Sequence, residues 1–231
     1  MFPLRDSQPS GTIPFITYLL IAANVVVFLF EVMLGDAALE QFFKSFGLVP
    51  LLFLQKFGPY EVFTLFSCMF LHGGWMHLLS NMWALFIFGD NIEDKLGHFG
   101  YLGFYLTCGV LAGLTQVLMS ANSTTPTIGA SGAIAGVLGA YIVSFPTARV
   151  LTAIPIFIII RLIEVPAMVY LGFWFVSQFF TGFASIAKET GEEGGVAWWA
   201  HVGGFVAGAI LVKLIGLIKQ GRNRPYDYTD S

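Results

Sequence analysis

Charge is what this 231-residue chain has least of. Asp, Glu, Lys and Arg make up 11% of it, against roughly 25% in a soluble globular domain. The runs 7–30, 62–89, 96–148, 165–187 and 194–212 contain none. An uncharged apolar run of about 20 residues is long enough to cross the hydrocarbon core as a helix, so a soluble protein is excluded. Cysteine is also scarce. Cys68 and Cys108 lie in different segments and make neither a disulfide framework nor a thiolate metal set. No strong basic patch points to nucleic acid; the largest basic cluster, "KLIGLIKQGRNR", reads as an anchor at the cytoplasmic end of the last apolar run. The first run is longer than a signal-peptide core and no A-x-A-like cleavage site follows it, so it reads as a retained helix. "HGGWMH" is not an H-E-x-x-H zinc motif and has no acidic ligand nearby in sequence. No metal and no cofactor are expected.

What the chain does have is apolar length, with 56% hydrophobic residues. Six spans are expected, at about 14–33, 75–88, 98–119, 131–145, 167–184 and 199–218. That makes residues 1–231 a single all-α polytopic membrane domain, a bundle of six transmembrane helices. Residues 34–74 mix charges, prolines and aromatics, which suits short helices in the interface. The break "SANSTTPT" divides the third span from the fourth. "PTARVLTAIPIFIIIRLIEVP" carries two arginines, internal prolines and Glu164, and reads as a connection dipping along the interface. "KETGEEGG" is an acidic, Gly-rich loop before the last span. Six spans put both termini on one side. Arg5, Lys95, Arg149, Arg161, Lys213, Lys219, Arg222 and Arg224 fall there, against Lys44, Lys56 and Lys188 opposite. By the positive-inside rule both termini are cytoplasmic, in a multi-pass protein of the inner or plasma cell membrane.

Three groups of polar residues then gather toward the outer face. His77 and Asn81 are four apart and share one helix face, with His72 just before that helix. Polar side chains are costly in lipid and mark functional pockets; the plainer reading is a structural pair tying two helices. Ser131 starts the fourth span inside "GASGAIAGVLGAY". The glycines alone read as close packing, and the serine alone as a helix N-cap. His201 lies in "AWWAHVGGFVAG". Ala200, Gly204 and Gly208 form one small-residue row, and Gly132, Gly136 and Ala140 another. If the rows face each other, Ser131 and His201 arrive at similar depth. A histidine there can take the serine proton. Unpaired N–H groups at the helix start can stabilise an oxyanion, and Gly129, Ala130 and Gly132 leave room for a substrate backbone.

"HGGWMHLLSN", "GDNIEDKLG" with Gly89, Glu93 and Gly97, "GASG" and "AHVGG" occur in this order over nearly the whole chain. The sequence resembles the rhomboid intramembrane serine proteases of the compact six-span bacterial type. The resemblance implies Ser131 as nucleophile and His201 as general base and acid, a dyad without a carboxylate. It assigns His77, Asn81 and the Ser131 N–H to the oxyanion site, and His72 to structure or to holding water at the pocket mouth. Glu93 would stabilise a loop. The helix of "WMHLLSN", the fifth span and the "KETGEEGG" loop would form a lateral entry and its cap. Partners would be single-span transmembrane substrates and membrane lipid, with no nucleic acid. One position departs: the best-known bacterial members carry an aromatic four residues after the nucleophile, where this chain has Ala135, so another group must position His201. Two competing readings remain. A catalytically silent, rhomboid-like client-binding protein predicts loss of the serine or histidine. A small transporter or channel would prefer polar residues through the full membrane depth.

Overall fold

A computed structural model of the protein describes residues 2–156, 159–187 and 197–222. Strand β1 (Phe2–Asp6) leads into helix α1 (Phe15–Val32). Short helices α2 (Asp36–Phe46), α3 (Pro50–Gln55) and α4 (Pro59–Ser67) follow, with a 3-10 turn at Cys68–Phe70. Then come α5 (Trp75–Leu96), α6 (His98–Met119), α7 (Ser131–Ser144), strands β2 (Arg149–Ile156) and β3 (Ile159–Pro166), and helices α8 (Ala167–Ala187) and α9 (Trp198–Arg222). Helices α3 and α4 each begin on a proline, whose fixed φ suits a first turn and whose missing N–H is not needed there. Gly97, with φ +77, makes the corner between α5 and α6, a conformation glycine adopts without steric cost. Pro14 gives α1 no side-chain cap. The fully buried Glu93 supplies one instead, accepting from the Ile16 and Thr17 N–H groups at 2.8 Å each and from Thr17 Oγ1 at 2.7 Å.

The six-span bundle, and with it the compact six-span type, is corrected by the helix lengths. Among the described residues four helices are long and apolar enough to cross a membrane: Phe15–Val32, His98–Met119, Ala167–Ala184 and Trp198–Ile218. A fifth arises only if Pro59–Phe70 and Trp75–Leu96, bent by 85°, count as one broken span. Two causes are physical. With 14 residues, α7 reaches only about 21 Å, short of a hydrocarbon core of about 30 Å. Helix α5 runs past Phe88 through Asp90, Glu93, Asp94 and Lys95, so its apolar part is only a portion of it.

The segment after α7 is built of paired strands. Residues of β2 pair antiparallel with β3, from Arg149 opposite Pro166 to Ile156 opposite Ile159, and β1 adds on the other side in the order β1-β2-β3. Val, Ile and Thr favour this extended pairing. The membrane bundle is all-α as expected, and a small three-stranded sheet is attached to it.

Helix α7 sits at the centre, packed on α5, α6, α8 and α9, with every residue from Gly132 to Tyr141 buried. Its neighbour α9 comes close enough that Gly204 lies on the Gly132 carbonyl and Gly208 on the Gly136 carbonyl. A Cβ at either position would collide with backbone. The register rises in the same direction on both helices, so they run parallel and Ser131 and His201 share one end. Gly132 also meets Ala112 of α6, a turn or two short of Met119. The start of α7 is thus recessed by about 10 Å from the end of α6.

Candidate active site

Ser131 is the first residue of α7, and the N-cap is Ala130, which has no side chain to cap with. The serine is therefore not the cap, and the N–H groups of the first turn meet no side-chain acceptor from that position. Gly129 delivers the chain to this point with φ +122, its N–H held by the Cys68 carbonyl at 2.8 Å. A Cβ on Gly129 would lie 2.7 Å from His77 Nε2, so both its conformation and its neighbour require glycine.

His201, in the first turn of α9, is 8% exposed. Its Nε2 is 2.8 Å from Ser131 Oγ. The two small-residue rows bring this about, because their backbone contacts fix the spacing of the helix starts. On its other side, His201 Nδ1 lies 2.7 Å from Gln178 Oε1 of α8. The Trp174 ring stands 5.7 Å from the imidazole and Trp198 6.1 Å, edge-on. These groups flank the His201 ring, while Ala135 is a buried methyl on α7. Sequence reasoning missed Gln178. Its only signal was a carboxamide inside an uncharged run, a residue type that is rare there without a partner.

His77 lies near Gly129. The Gly73 N–H points at its Nδ1 at 3.4 Å, so Nε2 carries the ring proton and faces the Gly129–Ser131 turn. Asn81, one turn further along α5, is buried, and its Nδ2 donor has no partner among the described residues. A buried donor without a partner is costly, which suits a group that waits for an acceptor. His72 lies beside His77, before the start of α5. Its ring packs edge-on against His77 at 5.0 Å, and its backbone N–H donates to the buried Glu31 carboxylate at 3.2 and 3.3 Å. Glu31 was also missed; the charge that ends the first apolar run was its signal.

Beside Ser131 a small cavity, bounded by Gly109, Ala112, Gly113, Gly129, Gly132 and Ala200, holds about 20 Å³, space for roughly one water or a methyl group. Among the described residues no three His, Cys, Asp or Glu side chains gather as a metal set. The "KETGEEGG" loop lies outside the described residues. The hydrogen-bonded serine–histidine pair at the recessed helix start is consistent with a nucleophile and its base.

The rhomboid domain model matches residues 59–217, well over half of the chain. The chain is similar to the chloroplastic Rhomboid-like protein 11 of Arabidopsis thaliana, 33% identical over 114 residues, covering 49% of this chain and 40% of the relative. It is 27% identical to RHOMBOID-like protein 1 of the same plant over 246 residues, 93% of this chain and 58% of the relative. It is 30% identical to the rhomboid protease GluP of Bacillus subtilis over 210 residues, 90% of this chain and 36% of the relative. The chain thus spans less than two thirds of each of these relatives. With the matched region running from α4 into α9 and holding both members of the serine–histidine pair, the protein belongs to the rhomboid family.

Proposed function

We propose that the protein is an intramembrane serine endopeptidase. The observation that carries this reading is the 2.8 Å contact between His201 Nε2 and Ser131 Oγ at the recessed start of α7. Ser131 attacks a peptide carbonyl while His201 takes its proton. The oxyanion is received by the Ser131 N–H, His77 and Asn81. His201 then returns the proton to the leaving amine and activates water to hydrolyse the acyl-enzyme. Substrates are single-span transmembrane proteins reached through lipid. A substrate helix unwinds locally to offer one carbonyl, because its amides are otherwise bonded within the helix. The cavity beside Ser131 favours a small side chain at the cut.

The protein resides in the cell membrane with both termini cytoplasmic. In support, β1 and the C-terminal end of α9 lie at the end opposite Ser131, together with Arg5, Lys95, Arg149, Arg161 and Lys213, whereas Lys44 and Lys56 belong to the short helices before the site. The deciding experiment is labelling by a fluorophosphonate probe alongside cleavage of a model transmembrane substrate, for wild type, Ser131→Ala and His201→Ala. Wild type should label and cleave, the serine variant should do neither, and the histidine variant should nearly lose turnover. A folded wild-type protein that neither labels nor cleaves would leave the client-binding reading in its place.

A further inference from the structure

Hydrogen bonds have a direction, and on α8 that direction is fixed from one end. Ser177 Oγ donates to the Trp174 carbonyl at 2.6 Å; a carbonyl only accepts, so the hydroxyl proton is committed to it. Ser177 Oγ therefore meets its next neighbour, Gln178 Nε2 at 3.2 Å, as an acceptor. The amide must then present its NH₂ to Ser177 and its oxygen to His201, 2.7 Å from Nδ1. An amide oxygen only accepts, which places the ring proton on Nδ1. Nε2 is left with its lone pair facing Ser131 Oγ at 2.8 Å, the arrangement a general base needs. Gln178 is 9% exposed, so little water competes for the same atoms.

We propose that Gln178, polarised by Ser177, is a positioning residue that sets the tautomer of His201 and makes its Nε2 the base. The inference deepens the protease reading and rests on it. Gln178 touches neither the nucleophile nor the reacting carbonyl in this scheme; it acts through the imidazole. An uncharged amide does this where a soluble triad uses a carboxylate, and it places no further ion in a buried site, where an ion is costly.

The test has one arm without turnover and one with it. In the full-length protein carrying ¹⁵N-labelled histidine, the His201 signals are identified as those lost in His201→Ala. Neutral His201 should show its proton on Nδ1, and a proton found on Nε2 overturns the proposal whatever the enzyme does. In bilayers, Gln178→Leu, which keeps volume and removes the acceptor, should lower kcat about tenfold or more with KM within about twofold. Gln178→Glu, which restores an acceptor, should recover more activity than Gln178→Leu. Ser177→Ala should lower kcat less than Gln178→Leu, because the amide loses only the contact that orients it. Unchanged kcat in folded Gln178→Leu would reject the role. Should Gln178→Leu fail to fold, the Ser177→Ala kinetics and the wild-type tautomer still decide. Failure of the protease reading would appear separately, as a folded wild type that neither labels nor cleaves, or as cleavage that survives in Ser131→Ala, while the tautomer of His201 is read without turnover.

Discussion

At the level of single residues, Asn81 separates stabilising a transition state from holding a substrate. Its buried Nδ2 has no partner among the described residues, so an acceptor that exists only after attack would gain a bond without breaking another. Removing one such donor in a soluble serine protease costs about 2.7–4 kcal/mol, or roughly 100- to 1000-fold in rate. Asn81→Ala should fall at the lower end, because His77 and the Ser131 N–H remain, and the loss should be in kcat. Steady-state kinetics in bilayers check this; a raised KM with unchanged kcat would assign Asn81 to docking. The proximity of Ser131 and His201 was legible in the sequence because two rows of small residues demanded a close helix pair. Gln178 was not legible. No spacing rule links it to His201, and only the fold of α8 over α9 brings its oxygen to Nδ1.

Helices and strands follow a different logic. The seam between α7 and α9 was readable because close packing needs glycine at fixed intervals, and Gly204 and Gly208 do lie on α7 carbonyls. Gly208→Ala tests it about two turns from the dyad. A methyl there must push backbone from backbone, at a cost of about 1–3 kcal/mol. Thermal unfolding should fall accordingly, and the protein that stays folded should cleave far more slowly than wild type. Full activity in Gly208→Ala would show that the seam does not set the Ser131–His201 distance. The number of spans was misread for a physical reason. Hydropathy measures apolar length, but α7 is wrapped by other helices and need not reach both faces itself. "IPIFIII" was also ambiguous, since β-branched apolar runs serve a strand as well as a lipid-facing segment, and the antiparallel pairing of Ile154–Ile156 with Ile159–Arg161 resolves it.

The whole molecule has two distinguishable ends, one with the sheet and one with the dyad. Thr147, exposed after α7, and Thr124, exposed before it, report on them. The native Cys68 and Cys108 are buried and should contribute little background. An impermeant thiol reagent on intact cells should label Thr124→Cys and spare Thr147→Cys, as the excess of Lys and Arg at the sheet end requires. The opposite pattern would invert the orientation.

Strand β3 passes directly into α8, and the Ala167 N–H is tied to the Ala148 carbonyl at 2.8 Å. With 22% of its span buried, α8 is the least enclosed of the four long apolar helices. One end of it is anchored at the sheet, and Gln178 lies about 16 Å along the helix from that anchor. A lean of about 5° moves that amide by about 1.4 Å, beyond hydrogen-bond reach of His201. If a transmembrane substrate enters past α8, admitting it and slackening the imidazole are one motion, and the base regains its aim only when α8 returns. A Cβ on Gly182 would lie 3.2 Å from Trp198 Cβ, near the separation a disulfide spans. Oxidised Gly182→Cys/Trp198→Cys should still take a small fluorophosphonate but no longer cut a transmembrane helix, and reduction should restore cutting; undiminished cleavage in the oxidised form would show that α8 need not swing.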